Sequence, residues 1–157
     1  VAARTRTGLG QVYLDASTEA LLRGDRKVGT EHVLLALLRD EGSAPARALG
    51  TGAGVDLASA RRALEHLDGQ ALAALGITPH SPGPVLPGRA SDRLSLTPAA
   101  KAVFKGLRAE AGKESIGLGH VLRGLLNRTR PDPVCALLDA LDVDRDAIRA
   151  RLEEQTR

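Results

Sequence analysis

Val28-Gly29-Thr30-Glu31-His32-Val33-Leu34-Leu35-Ala36-Leu37-Leu38 begins with a turn former and a cap candidate and ends in a nearly unbroken apolar run. Val33, Leu34, Leu37 and Leu38 fall at three-to-four spacing, which predicts a helix starting near Thr30. The stretch has a twin. Shifting the sequence by 88 positions lays residues 28–65 on 116–153 without a gap, and 14 of the 38 pairs are identical. Gly29 meets Gly117, His32-Val33-Leu34 meet His120-Val121-Leu122, Leu37-Leu38 meet Leu125-Leu126, and Pro45 meets Pro133. Upstream, residues 12–20 match 103–111 at a shift of 91, so the second copy is three residues shorter between its first two helices. The chain therefore carries a duplicated unit.

Working outward, each copy reads as four helices. The first runs from about Leu9 to Arg23, with Leu9, Val12, Tyr13, Ala16 and Ala20 on one face. Its counterpart opens with Thr97 as N-cap and Pro98 at the first helical position. A short third helix begins at Ser43, or at Asp132 followed by Pro133. The fourth follows Asp56 or Asp144, burying Ala60, Leu64 and Leu67 in one copy and Ala147, Ile148 and Leu152 in the other. Repeat one spans 5–77, a Pro-rich connector 78–95, and repeat two 96–157. Gly50-Thr51-Gly52-Ala53-Gly54 reads as a loop between helices, since no strand precedes it as a phosphate-cradling loop requires. The expected fold is all-α, with two pseudo-symmetric four-helix repeats packed into one eight-helix domain spanning 1–157.

Composition agrees. The chain has 157 residues, and 51 of its hydrophobic side chains are Ala or Leu, against 13 Val or Ile and two aromatics, Tyr13 and Phe104. Leu and Ala suit helices, whereas strands favour β-branched and aromatic residues. A single cysteine, Cys135, excludes an internal disulfide framework and fits a reducing, cytoplasmic setting; its apolar neighbours predict a buried thiol. No apolar run approaches the roughly 20 residues of a membrane span. The first residue is Val and the chain lacks Met, so the natural start is expected to be trimmed or to lie upstream.

The net charge of +3 arises entirely after residue 78, where thirteen basic side chains meet ten acidic ones. Those charges are dispersed and lack interleaved aromatics, which argues against phosphate tracking or base stacking. A basic helical nucleic-acid-binding or regulatory module is the alternative reading. No Gly-x4-Gly-Lys-Ser/Thr loop is present, and the four histidines and Cys135 show no metal-ligand spacing, so neither ATPase chemistry, other enzymatic activity nor a cofactor is expected.

The Gly-Thr-Glu-His-hydrophobic-Leu-Leu string, its echo at Ile116-Gly117-Leu118-Gly119-His120-Val121-Leu122 and the Leu96-Thr97-Pro98 opening of the second copy resemble the Clp N-terminal (Clp repeat) domain. That module stands at the front of the ClpA and ClpC unfoldases. The resemblance implies a non-catalytic binding function: recruiting adaptor proteins and substrates to an unfoldase and protease, with phosphorylated arginine as one ligand. It implies a substrate-binding set of Val28, Gly29, Thr30, Glu31 and His32, with Gly117, Leu118, Gly119 and His120 in the second copy. Physically, Thr30 is expected to cap the second helix, and Glu31 sits where the macrodipole favours a carboxylate. A carboxylate suits a guanidinium and free amides suit a phosphate. The same two residues also suit a role confined to stabilising the helix start. His32 and His120 are expected to hydrogen-bond between helices. Two departures stand out: Leu118-Gly119 replaces Thr-Glu in the second copy, and Arg4-Thr5-Arg6-Thr7 replaces the family's Phe-Thr opening.

Overall fold

The computed structural model describes residues 8–77 and 94–155. The expected connector (78–95) lies outside them except for Leu94 and Ser95, as does the Arg4–Thr7 opening. Among the described residues the fold is all-α: α1 (Leu9–Arg23), α2 (Thr30–Arg39), α3 (Ala44–Ala53), α4 (Leu57–Ala74), α5 (Pro98–Lys105), α6 (Leu107–Ala111), α7 (Leu118–Leu126), α8 (Pro133–Ala140) and α9 (Arg145–Gln155). The extra helix comes from Gly106, which ends α5 and starts α6, so this pair together answers α1 of the first copy.

The helix starts follow local chemistry. Ser43, Asp56 and Thr97 each accept a hydrogen bond from the amide three residues on. Asp132 accepts from Val134 N at 3.1 Å, and Asp144 from the Asp146 and Ala147 amides. These bonds satisfy donors that a helix start otherwise leaves unpaired. Ala147 proves exposed, contrary to expectation, while Ile148 and Leu152 are buried. The glycine-rich stretch is not a loop: Gly50 to Ala53 complete α3, and Gly54 caps it in the left-handed conformation with φ 66°. A Cβ on Gly52 would sit 2.7 Å from Ile148 Cδ1, so glycine lets α3 lie close against α9.

That contact belongs to a reciprocal pair. α3 of the first copy packs on α9 and α7 of the second, and α8 of the second packs on α4 and α2 of the first. α2 and α7 meet at the centre. One apolar cluster accordingly draws on both copies, including Leu34, Leu37 and Leu49 with Leu122, Leu125, Leu137 and Ile148. Val28 adds a short parallel bridge to Leu96, bonding Ser95 O and Thr97 N through its backbone at 2.9 Å. This bridge sets the start of α5 beside the start of α2.

The position after the third helix shows the copies solving one geometric problem differently. Gly54 is matched by Asp142, a non-glycine residue at φ 56°. An L-residue there strains against its own Cβ, and glycine does not. Asp142→Gly is therefore expected to stabilise the fold by about 0.5–1 kcal/mol, and Gly54→Ala to destabilise it by about 1 kcal/mol or more. Urea-denaturation midpoints of the two variants check both signs.

Candidate functional site

The start of α2 is built around an imidazole. Gly29, in extended conformation, is the N-cap residue and carries no side chain to cap the helix. His32, three residues on, accepts from Gly29 N through Nδ1 at 2.9 Å, the backward half of a capping box. Its Nε2 meets Asp25 Oδ2 at 2.7 Å in the turn before α2. The second copy repeats the device: Gly117 N donates to His120 Nδ1 at 2.9 Å, and Nε2 meets Glu114 Oε2 at 3.1 Å. The histidines thus hold their own helix starts and preceding turns, instead of bonding between helices as the sequence suggested.

Thr30 does not cap α2 either. It is the first helical residue, fully buried, and its hydroxyl donates to Asp132 Oδ1 across the seam between the copies. Asp132 is itself buried, caps α8 and pairs with Arg128 Nε at 2.8 Å. Val28 is buried too, in the apolar core and the bridge with Leu96. Of the five residues expected to bind in the first copy, only Gly29 and Glu31 reach a surface cleft, of about 580 Å³. Its other walls come from elsewhere: Thr97 to Ala99 at the start of α5, and Arg128 to Pro133 between α7 and α8. Glu31 thereby faces a wall that carries Arg128 and Arg130, the second of these paired with Asp139 at 2.5 Å.

The second copy has a corresponding cleft, of about 560 Å³, and here Gly117, Leu118, Gly119 and His120 all line it, with Glu114, Ser115, Arg123, Ala44 and Leu152. The repeat relation explains its character. Thr30 and Asp132 form the polar pair beside the first cleft; their counterparts are Leu118 and Ala44 beside the second. Glu31 is replaced by Gly119, where a Cβ would meet nothing closer than Leu152 Cδ2 at 3.8 Å. The first cleft sets a carboxylate opposite two guanidinium groups; the second lacks a carboxylate at the position equivalent to Glu31, its charges being Glu114 and Arg123.

The electrostatics centre on His32. Burial opposes its protonation, but hydrogen bonds and charge from Asp25 and Glu31 outweigh burial and push the imidazole up to about 9. Burial likewise opposes ionisation of Asp25, yet its bond to His32 and the charges of His32 and Arg23 hold its carboxyl below the usual range. Several of these residues escaped the sequence reading. Asp25 and Glu114 are 89 positions apart, one off the repeat shift, so a gapless comparison does not pair them. Arg128 and Arg130 lie in a segment where the copies share no residue, and Asp132 read only as a cap.

Among the described residues no group of His, Cys, Asp and Glu is placed to hold a metal ion, and no helix is long and apolar enough to cross a membrane. Cys135 is fully buried, its thiol donating to Arg128 O at 3.2 Å.

Fold and clefts define a tandem-repeat helical module that presents two related surface sites. The family of the Clp repeat (R) N-terminal domain matches residues 8–131, and the chain belongs to it. The family places the chain, at a coarse level, among Clp-associated protein-binding modules. No curated protein matches the chain.

Two consequences follow for stability. Asp132→Ala removes a cap, strands the buried Thr30 hydroxyl and frees Arg128, and is expected to cost about 2–3 kcal/mol by chemical denaturation. Because the folded-state pKa of His32 is raised, its contribution is complete below the unfolded value near 6.5 and is lost as pH rises through about 9. Stability is therefore expected to decline as pH rises from about 6.5 through about 9. Asp25, lowered instead, loses its contribution only as pH falls below about 3.8. Denaturation midpoints measured from pH 5 to 10 on wild type and His32→Gln check the sign, the variant being flat above neutrality.

Proposed function

We propose that this chain recruits proteins to a Clp unfoldase and protease through the cleft at the start of α2, and that this cleft recognises phosphorylated arginine. It does so either as the front of a larger unfoldase or as a separate accessory chain. One observation carries the reading: a carboxylate, Glu31, and two guanidinium groups, Arg128 and Arg130, line the same cleft. Phosphoarginine carries a cationic guanidinium and an anionic phosphate on one side chain. Glu31 pairs with the first, and the opposing arginines attract the second. Arg128 and Arg130 already meet Asp132 and Asp139, so the phosphate competes for them, which favours a dianionic ligand over a simple carboxylate.

Recognition through the second cleft follows a different rule, because Gly119 offers no carboxylate. The substrate-binding set proposed for the first copy accordingly narrows to Gly29 and Glu31. Val28, Thr30 and His32 shape it from beneath. Gly117, Leu118, Gly119 and His120 remain the proposed surface of the second copy.

Calorimetry with phosphoarginine tests the proposal. Wild type is expected to bind one equivalent and Glu31→Ala at least tenfold more weakly. Gly119→Glu, whose Cβ meets no contact closer than 3.8 Å, is expected to bind a second equivalent. No binding by wild type, or equal binding by Glu31→Ala, overturns the assignment.

A further inference from the structure

The cleft carboxylate is not extended toward a ligand. Glu31 is turned back over Gly29, so that its Oε1 occupies the space a side chain on residue 29 would need. Its side chain is only 13% exposed, and Oε1 lies 3.1 Å from His32 Nδ1. That nitrogen has two claimants, because Gly29 N lies 2.9 Å from it. The claims exclude each other. A neutral ring that donates through Nε2 to Asp25 presents a lone pair at Nδ1, which accepts from the amide and repels a carboxylate oxygen. A protonated ring presents N–H at Nδ1, which attracts the carboxylate and gives up the amide. Asp25 accepts from Nε2 in both states, so the choice falls on Glu31 alone.

We infer that His32 is a positioning residue for Glu31: protonated, it draws the carboxylate back over Gly29, and on losing its proton it releases Glu31 to a cationic group in the cleft. The inference rests on reading the Glu31 cleft as a guanidinium site. Reciprocity follows, since a guanidinium that captures Glu31 removes one of the two carboxylates holding the proton on His32, and binding then expels that proton.

The surrounding charges do not replace either partner. Asp25 is backed by Arg23 at 3.1 Å, which belongs to the end of α1. Across the cleft, Arg128 and Arg130 are held by Asp132 and Asp139, and Thr97 to Ala99 at the start of α5 are uncharged. Glu19 of α1 meets α2 only at its far end, through Arg39 at 3.8 Å. Burial opposes the raised imidazole value; Asp25 and Glu31 both contribute to it by hydrogen bond and charge.

The test uses the intact chain. Carbon and nitrogen NMR titration is expected to show the Glu31 carboxyl resonance following the His32 midpoint near 9. Glu31→Gln is expected to bring the His32 midpoint down toward the ordinary histidine value. Calorimetry with phosphoarginine is expected to show affinity rising about three- to tenfold from pH 7 to 9.5, with proton release in buffers of different ionisation enthalpy. His32→Gln keeps an acceptor at the third helical position and so keeps the cap, but removes the titration; its affinity is expected to be flat with pH. A Glu31 resonance indifferent to His32, or the same pH dependence in wild type and His32→Gln, overturns the inference. If phosphoarginine fails to bind at both pH values while Glu31 still follows His32, the guanidinium reading falls and the positioning role stands.

Discussion

The two copies of this repeat bury their apolar surface in one shared core, and the structure depends on how they do so. Each lends its third helix to the other: α3 lies on α9 and α7, and α8 lies on α4 and α2. Roughly 70 residues make a marginal core by themselves, because too little of their surface is removed from water. Exchanging the third helix lets one core cluster draw on both copies. A small residue makes the exchange possible. Gly52 leaves room for Ile148 and Arg151, where a side chain would hold α3 away from α9.

The same exchange creates the clefts. The turn entering α8 is carried to the start of α2, and the start of α3 to the start of α7. The first cleft is therefore composite, with a helix start from one copy facing a wall from the other, while the second takes Ala44 alone from the first copy. Divergence on either side of that contact changes the pair as a unit. Thr30 with Asp132 is a buried polar pair in one place, and its counterparts Leu118 and Ala44 are both apolar in the other. A half-changed pair would leave a buried polar group unsatisfied, which is costly. The histidine device underneath survives in both copies, because it satisfies a helix-start amide whatever lines the cleft above it.

Much of the fold was legible because its signals are local. The α1 bounds, the Thr30 start of α2, and the caps at Ser43, Asp56, Thr97, Asp132 and Asp144 all follow from residues within a turn of the boundary. The mistaken readings share one cause. Gly50 to Ala53 read as a loop between helices with no strand before it, yet they complete α3, where Gly52 packs closely on α9. Thr30 read as a cap because its type fits, but its hydroxyl is taken by a residue 102 positions away. Glu31 was visible in the sequence; the arginines facing it were not.

The sequence by itself determined that the chain is helical, duplicated and related to the Clp repeat domain, since composition, periodicity and internal identity are properties of order along the chain. It also determined that the second copy lacks the carboxylate of the first. Only the tertiary structure decided which residues share a cleft. Arg128 and Arg130 come to line one cleft with Glu31 through the exchange of third helices, and Glu114 comes to equal Asp25 across a shifted register. Contacts of that kind depend on the packing of distant segments, and no spacing along the chain encodes them.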